Sequence, residues 1–235
     1  MKHFITYQAK NFLRSLQIIP PYALYITWIV VLYAYRNVPI LSSYANSAVV
    51  LFVIMTWISM SIFRLEAENE KHLLQLALRD KTRFLYGKWL TAFLFMLPLF
   101  IVAHFYPIVF GHFRGNVTLV HHLLSFYAHI GLGSLGILTG SFFTATRLVA
   151  VKYVWLLAAI TVTTSLAASQ IHEALPSWLD WTIYVLPPLS LLYTPLKGGD
   201  AGRLPEEFLS DLFLVIAYML VAVVIIQKLY LRRER

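Results

Sequence analysis

Charged residues punctuate the chain, and between them lie six long apolar stretches. They fall between Arg14 and Arg36, Arg36 and Arg64, Lys88 and Arg114, Arg114 and Arg147, Lys152 and Glu173, and Asp211 and Lys228. A helix rising about 1.5 Å per residue needs roughly 20 apolar residues to cross a hydrocarbon layer about 30 Å thick. The first five stretches reach that length. The last, Leu212 to Gln227, is shorter and is predicted to begin near Phe208. The pattern predicts an all-α integral membrane protein with six transmembrane helices.

Three segments break this pattern. Residues 1–15 place Lys2, Lys10 and Arg14 among Phe4, Ile5, Phe12 and Leu13, with no small-residue cleavage site after them. They read as a basic amphipathic surface helix rather than a removable leader. Residues 64–88 form a polar insert between the second and third stretches. Residues 174–207 include the apolar run from Trp181 to Leu196, interrupted by Pro187, Pro188 and Pro195. Proline removes a backbone donor, so this run is expected to form short broken helices that dip in, return and pack on the spans.

Composition agrees with a membrane setting. The 235 residues are 59% hydrophobic and 13% charged, with a mean hydropathy of +0.69, too apolar for a soluble domain of this size. Cysteine is absent, which excludes disulfides, thiol nucleophiles and cysteine-held clusters. The net charge of +8 gathers at the boundaries of the apolar stretches instead of forming a basic stripe, so it argues for topology and against nucleic acid. With the N-terminus inside, fifteen of the 19 lysines and arginines fall on one side, and only Arg36, Arg114, Lys197 and Arg203 on the other. By the positive-inside rule both termini and the 64–88 insert are cytoplasmic. One membrane domain, 1–235, accounts for the chain.

The insert runs Arg64-Leu65-Glu66-Ala67-Glu68-Asn69-Glu70-Lys71-His72-Leu73-Leu74-Gln75-Leu76-Ala77-Leu78-Arg79 and is built mostly of good helix formers. Glu66, Glu68 and Glu70 suit the positive end of a helix dipole, and leucines crowd the second half. An amphipathic helix on the lipid surface is the plain reading. Leucines beside acids and bases would also suit a groove on a partner.

The order of basic N-terminal helix, two spans, acidic loop helix, Arg83-Phe84-Leu85-Tyr86-Gly87-Lys88, further spans and a proline-broken segment before the last span resembles the permease subunit of type-2 exporter-class ABC transporters. The likeness covers nearly the whole chain and rests on Glu66, Glu68, Glu70, Leu73, Leu74, Gly87 and Lys88. The chain has Lys71-His72 where that family usually has Gly-Thr, and it lacks the usual proline before Gly87. The resemblance implies a coupling helix that seats in a separate ATPase subunit, with Glu66, Glu68, Glu70, Leu73, Leu74, Arg79, Arg83 and Lys88 as coupling residues. It implies residues 1–15 as an elbow helix, a second permease as partner, and ATP and magnesium on the ATPase rather than here. This chain has no phosphate-binding loop of its own.

Other candidates lie within the apolar stretches. Gly131, Gly133, Gly136 and Gly140 make a small-residue face suited to close helix packing. His104, His112, His121, His122 and His129 cluster in or near the third and fourth stretches. Spacings of seven and eight place His122 with His129, and His104 with His112, on shared helix faces. His104 and His129 are the candidates for an intramembrane polar role, and a haem or metal site is the alternative they raise. Protease motifs are missing, since His172-Glu173 has no second histidine at the required spacing. The expected function is ATP-driven movement of a hydrophobic or amphipathic peptide, lipid or drug across, or out of, a bacterial plasma membrane. A transporter-like immunity or sensor component shares the same features.

Overall fold

The computed structural model describes all residues except 147–149, 175, 177, 179, 180, 183, 184, 198, 199, 201–203, 234 and 235. Among the sequence candidates, Arg147, Asp180, Arg203 and Arg235 lie outside the described residues. Ten α-helices follow one another: α1 (Lys2–Arg14), α2 (Ile19–Leu32), α3 (Ile40–Phe63), α4 (Glu68–Leu78), α5 (Lys81–Val109), α6 (Leu119–Ala145), α7 (Val154–Leu166), α8 (Ala168–Ala174), α9 (Leu189–Tyr193) and α10 (Phe208–Arg233). No strand occurs among the described residues. A single bridge pairs Val38 with Phe113 and ties the α2–α3 connection to the α5–α6 connection.

Among the described residues four helices, α3, α5, α6 and α10, are long and apolar enough to cross a membrane, and α1 with α2 would be a fifth if the bent pair is one span. The protein is therefore helical and has the makings of a membrane-embedded bundle. The sequence-predicted first and fifth spans come out shorter. The fifth divides into α7, 13 residues, and α8, which follows a break at Ala167. The first is reduced to α2, 14 residues, because the chain turns at Leu16, a non-glycine residue with φ of 58°. Pro20 and Pro21 then occupy the first turn of α2, where a missing backbone N–H costs nothing.

α1 departs from a free surface helix. Phe4, Gln8 and Phe12 recur every four residues and form one buried stripe. Phe4 meets Phe84 at 5.3 Å between ring centroids, and Phe12 meets Phe95 at 5.1 Å, so α1 is packed lengthwise on α5. α2 continues up the same helix after a bend of 79°, reaching Tyr106 through Tyr33. Its opposite face leaves Leu24, Trp28 and Val31 exposed.

The core is the α3–α6 pair. An added Cβ on Gly136 would stand 2.5 Å from the Phe52 carbonyl oxygen, and one on Gly140 would stand 2.4 Å from that of Thr56. Only glycine permits this approach of two backbones. The Ser59 hydroxyl adds a hydrogen bond to the Ile137 carbonyl at 2.8 Å. α5 carries Pro98 and Pro107 in its interior. The carbonyls three residues before them, Phe95 and His104, accept hydrogen bonds from Tyr22 (2.5 Å) and Tyr44 (3.0 Å). Neighbouring helices thus supply donors where proline loosens the ladder.

The proline-broken run resolves, within the described residues, into α9 and a 3-10 turn over Thr194–Leu196. It packs on α3, α6 and α10, as expected, with Leu192 filling the space over Gly131. α10 begins at Phe208 as predicted and extends past Gln227. It buries Val215, Ile226 and Tyr230 but leaves Leu209, Phe213, Leu220 and Val224 exposed.

Candidate functional site

Helix α4 lies at the end of the bundle where most basic residues gather, called here the basic end. Ala67 enters it in an extended conformation, and Arg79 closes it in the left-handed region at φ 56°. Glu68 and Glu70 occupy its first turn. Glu66 does not. It precedes the helix, in a bend just before Ala67, and its carboxylate turns inward to form an ion pair with Lys88 Nζ. Lys88 also donates to the Ile62 carbonyl at 2.7 Å. The side chains are 0% and 2% exposed for Lys88 and Glu66, so neither is offered to a partner. Both coupling candidates are thus enclosed within the bundle. A buried ammonium at the end of an apolar helix needs a counter-charge and a carbonyl, and these two supply them.

Further contacts tie α4 to the bundle. The Tyr7 hydroxyl of α1 donates to Glu70. That hydrogen bond first, then burial and the charges of Glu70 and Glu66, raise the Tyr7 phenol above its ordinary pKa. Gln75, buried, donates to the Tyr230 hydroxyl of α10 at 2.6 Å, and Lys71 stands over the Tyr230 ring at 5.4 Å. Leu74 and Leu78 pack against the core. Outward on α4 and its C-cap are Glu68, His72, Leu73, Leu76 and Arg79, and Arg83 is exposed in the first turn of α5. Leu73 and Leu76 are 68% and 74% exposed. Of the eight coupling candidates, Glu68, Leu73, Arg79 and Arg83 are thus exposed, whereas Glu66, Glu70, Leu74 and Lys88 make contacts within the bundle. Leu76, Tyr7, Gln75 and Tyr230 join the site from the structure. No local spacing links Tyr7 or Tyr230 to α4, so only the fold could reveal them.

A second polar cluster lies toward the opposite end. His104 Nδ1 is 2.9 Å from Ser125 Oγ, and His104 Nε2 is 2.9 Å from His122 Nδ1. His129 Nε2 is 2.9 Å from Ser47 Oγ, and its Nδ1 is 2.8 Å from the Ser125 carbonyl. His104 and His129 therefore belong to one row, with His122 as the member the sequence ranked below them. His112 does not share a helix face with His104, because α5 ends at Val109; it stacks instead on Tyr106. His121 folds back onto Thr118 at the start of α6. Among the described residues no group of three or more His, Cys, Asp or Glu is placed to hold a metal ion. The imidazoles point at each other and at hydroxyls rather than at a common centre.

Gly133, Gly136 and Gly140 lie at tight contacts, but unequally. Gly136 and Gly140 face backbone of α3, whereas Gly133 faces the flexible Met96 side chain, whose Sδ would be 2.2 Å from an added Cβ. No known protein family, curated protein or solved structure matches the chain.

Proposed function

We propose that this chain is the membrane-spanning subunit of an ATP-driven exporter resembling type-2 ABC permeases, with a separate ATPase docking on α4. One observation carries the reading: α4 presents Leu73 and Leu76 outward while its other side is bonded to α1 and α10 and packed on α5. A force applied to such a helix is distributed to three parts of the bundle at once. An isolated lipid-surface helix would need no such anchoring.

In this reading the basic end is cytoplasmic, in a bacterial plasma membrane, in keeping with the positive-inside rule. α2, α3, α5, α6, α7 and α10 act as the six spans, and α1 is the elbow helix. A second permease, identical or homologous, completes the pathway against the exposed apolar faces, and ATP with magnesium binds only on the ATPase. The few charges inside the bundle favour a hydrophobic or amphipathic cargo over a sugar or ion.

The test is reconstitution with an ATPase encoded beside the gene. The variant Leu73→Asp/Leu76→Asp is expected to abolish co-purification and permease-stimulated ATP hydrolysis while leaving the chain folded. Unchanged assembly and hydrolysis in that variant would overturn the docking role of α4.

A further inference from the structure

Between α3, α5 and α6 runs a row of hydrogen-bonding side chains, His122, His104, Ser125, His129 and Ser47, that begins beside a cavity. The cavity holds about 440 Å³ and is lined by Pro107, Phe113, Asn116 and His122 among others. His122 is partly exposed, whereas His104, Ser125, His129 and Ser47 are buried. Seven residues separate His122 from His129 on α6, so the row reaches roughly 10 Å into the bundle at about 1.5 Å per residue.

The hydrogen bonds have an acceptor ready for one additional proton. The Ser125 carbonyl can only accept, so the neutral His129 ring carries its hydrogen on Nδ1. Nε2 then accepts from the Ser47 hydroxyl. His129 therefore turns no free nitrogen toward Ser125 Oγ, which lies 3.4 Å from its Nδ1, and closes the row. At the other end, an added proton converts the His104–His122 contact into an imidazolium donating to a neutral imidazole, a charge-assisted bond. Ser125 Oγ, 2.9 Å from His104 Nδ1, accepts from the other nitrogen of the same ring.

Aromatic rings surround the same imidazoles. Tyr44 stacks on His104 with centroids 5.4 Å apart, and Phe100 lies 5.4 Å from His104 and 5.6 Å from His129. Ring faces at these distances attract a cation. From α3 the titratable group facing the row is Tyr44. α2 contributes Tyr25, whose hydroxyl bonds the Ser47 carbonyl at 3.2 Å, and Tyr33, which turns to His112. Tyr127 of α6 bonds the Leu191 carbonyl and packs on Phe208 beside Asp211 of α10. Tyr218 of α10 bonds the Val185 carbonyl. Tyr193 of α9 carries Lys197 over its own ring, and α7 has no titratable side chain. The direct hydrogen-bond partners of the three imidazoles are hydroxyls, a carbonyl and one another.

We propose that the outer part of this row is a binding site for a single excess proton, taken up from the cavity and shared between His122 and His104. The proton leaves a hydronium ion, which becomes water, and bonds to a ring nitrogen of His122. Transfer to His104 Nε2 returns His122 to neutrality. A second proton is opposed by like charge, since the His104 and His122 centroids are 5.0 Å apart.

The test uses the full chain, labelled with 15N in its histidine rings and held in lipid bilayers, and needs no ATPase, so it stands or falls apart from the exporter reading. Ring-nitrogen signals, assigned with single His→Gln variants, are followed from about pH 8 to about pH 5, the range in which ordinary imidazole changes charge. The expected result is a common midpoint for His104 and His122 with one proton gained across the two, while His129 stays neutral. His122→Gln should weaken proton binding by His104 roughly tenfold or more. Ser125→Ala keeps every ring, removes the acceptor of His104 Nδ1 and serves if His122→Gln does not fold; it should weaken binding in the same direction. A neutral His104 ring while His122 titrates alone, or a midpoint unmoved by whichever variant folds, would overturn the proposal.

Discussion

The two ends of the bundle are fastened by different chemistry. At the basic end a buried ion pair, Lys88 with Glu66, ties the exit of α3 to the first turns of α5, and Glu70 takes a hydrogen bond from α1. At the opposite end the helices are joined by neutral groups: Tyr25 to the Ser47 carbonyl, Tyr44 to the His104 carbonyl, Tyr127 to the Leu191 carbonyl, and the histidine row. A carboxylate at this end, Asp200, is spent on the start of α3, accepting from the Ile40 and Leu41 amides at 3.0 and 2.9 Å. A buried ion pair cannot be separated without stranding a charge, so it moves as a unit. Hydroxyl and imidazole groups can trade partners at small cost. The basic end is therefore suited to passing on a displacement, and the opposite end to rearranging in response.

The sharpest way to break this contrast is Lys88→Met, which leaves Glu66 buried without a partner. Loss of about 3–5 kcal/mol is expected in thermal or denaturant unfolding in detergent. The double variant Glu66→Leu/Lys88→Met should regain most of it; equal losses in the single and double variants would show that the ion pair is not what holds this end.

Between the two ends, Gly140→Ala should cost about 1–3 kcal/mol, because the Thr56 carbonyl cannot move aside without shifting α3. Gly133→Ala should cost clearly less, since the Met96 side chain can rotate away. Matching losses measured by the same unfolding assay would contradict the unequal contacts.

At the opposite end, Asp200→Ala removes the acceptor for two amides at a helix start, a change worth about 1 kcal/mol. Hydrogen exchange at Ile40 and Leu41 should accelerate while α4 and its surroundings are unaffected. Exchange unchanged at both amides would show that Asp200 does not cap α3.

The smallest effect concerns Tyr7. Its phenol is held protonated by Glu70, so its folded pKa lies above the unfolded one. The α1–α4 contact is fully present below the ordinary tyrosine pKa and is lost as pH rises through the raised value. Ultraviolet titration against Tyr7→Phe should show a late-ionising Tyr7 that moves toward the ordinary range in Glu70→Gln. An unshifted Tyr7 would detach α1 from α4.

Much of this was legible in the chain because the signals were local. The apolar runs located all four long helices, the proline pair marked the start of α2, and the good helix formers after Glu66 marked α4. The glycine spacing on α6 pointed to a close contact, though not to α3 as its partner. What stayed hidden depended on pairs far apart in sequence. Glu66 and Lys88 are both charged residues near a membrane boundary, and nothing in their spacing says that they face each other rather than solvent. The break at Leu16 has no glycine or proline at the turning residue, so the chain direction there is set by the packing of Phe12 and Tyr22 on α5. His122 was placed on a face with His129 by periodicity, but its bond to His104 crosses between helices.

The contact of Gly136 and Gly140 with the backbone of α3 has a mechanical consequence. With carbonyl oxygens of one helix seated against the α-carbons of the other, the pair has almost no free play along its length, and close-packed interiors yield little under load. α3 and α6 are then a single stiff beam running from the anchorage of α4 to the histidine row. A push at one end arrives at the other as a tilt about a pivot, not as a slide of one helix past its neighbour.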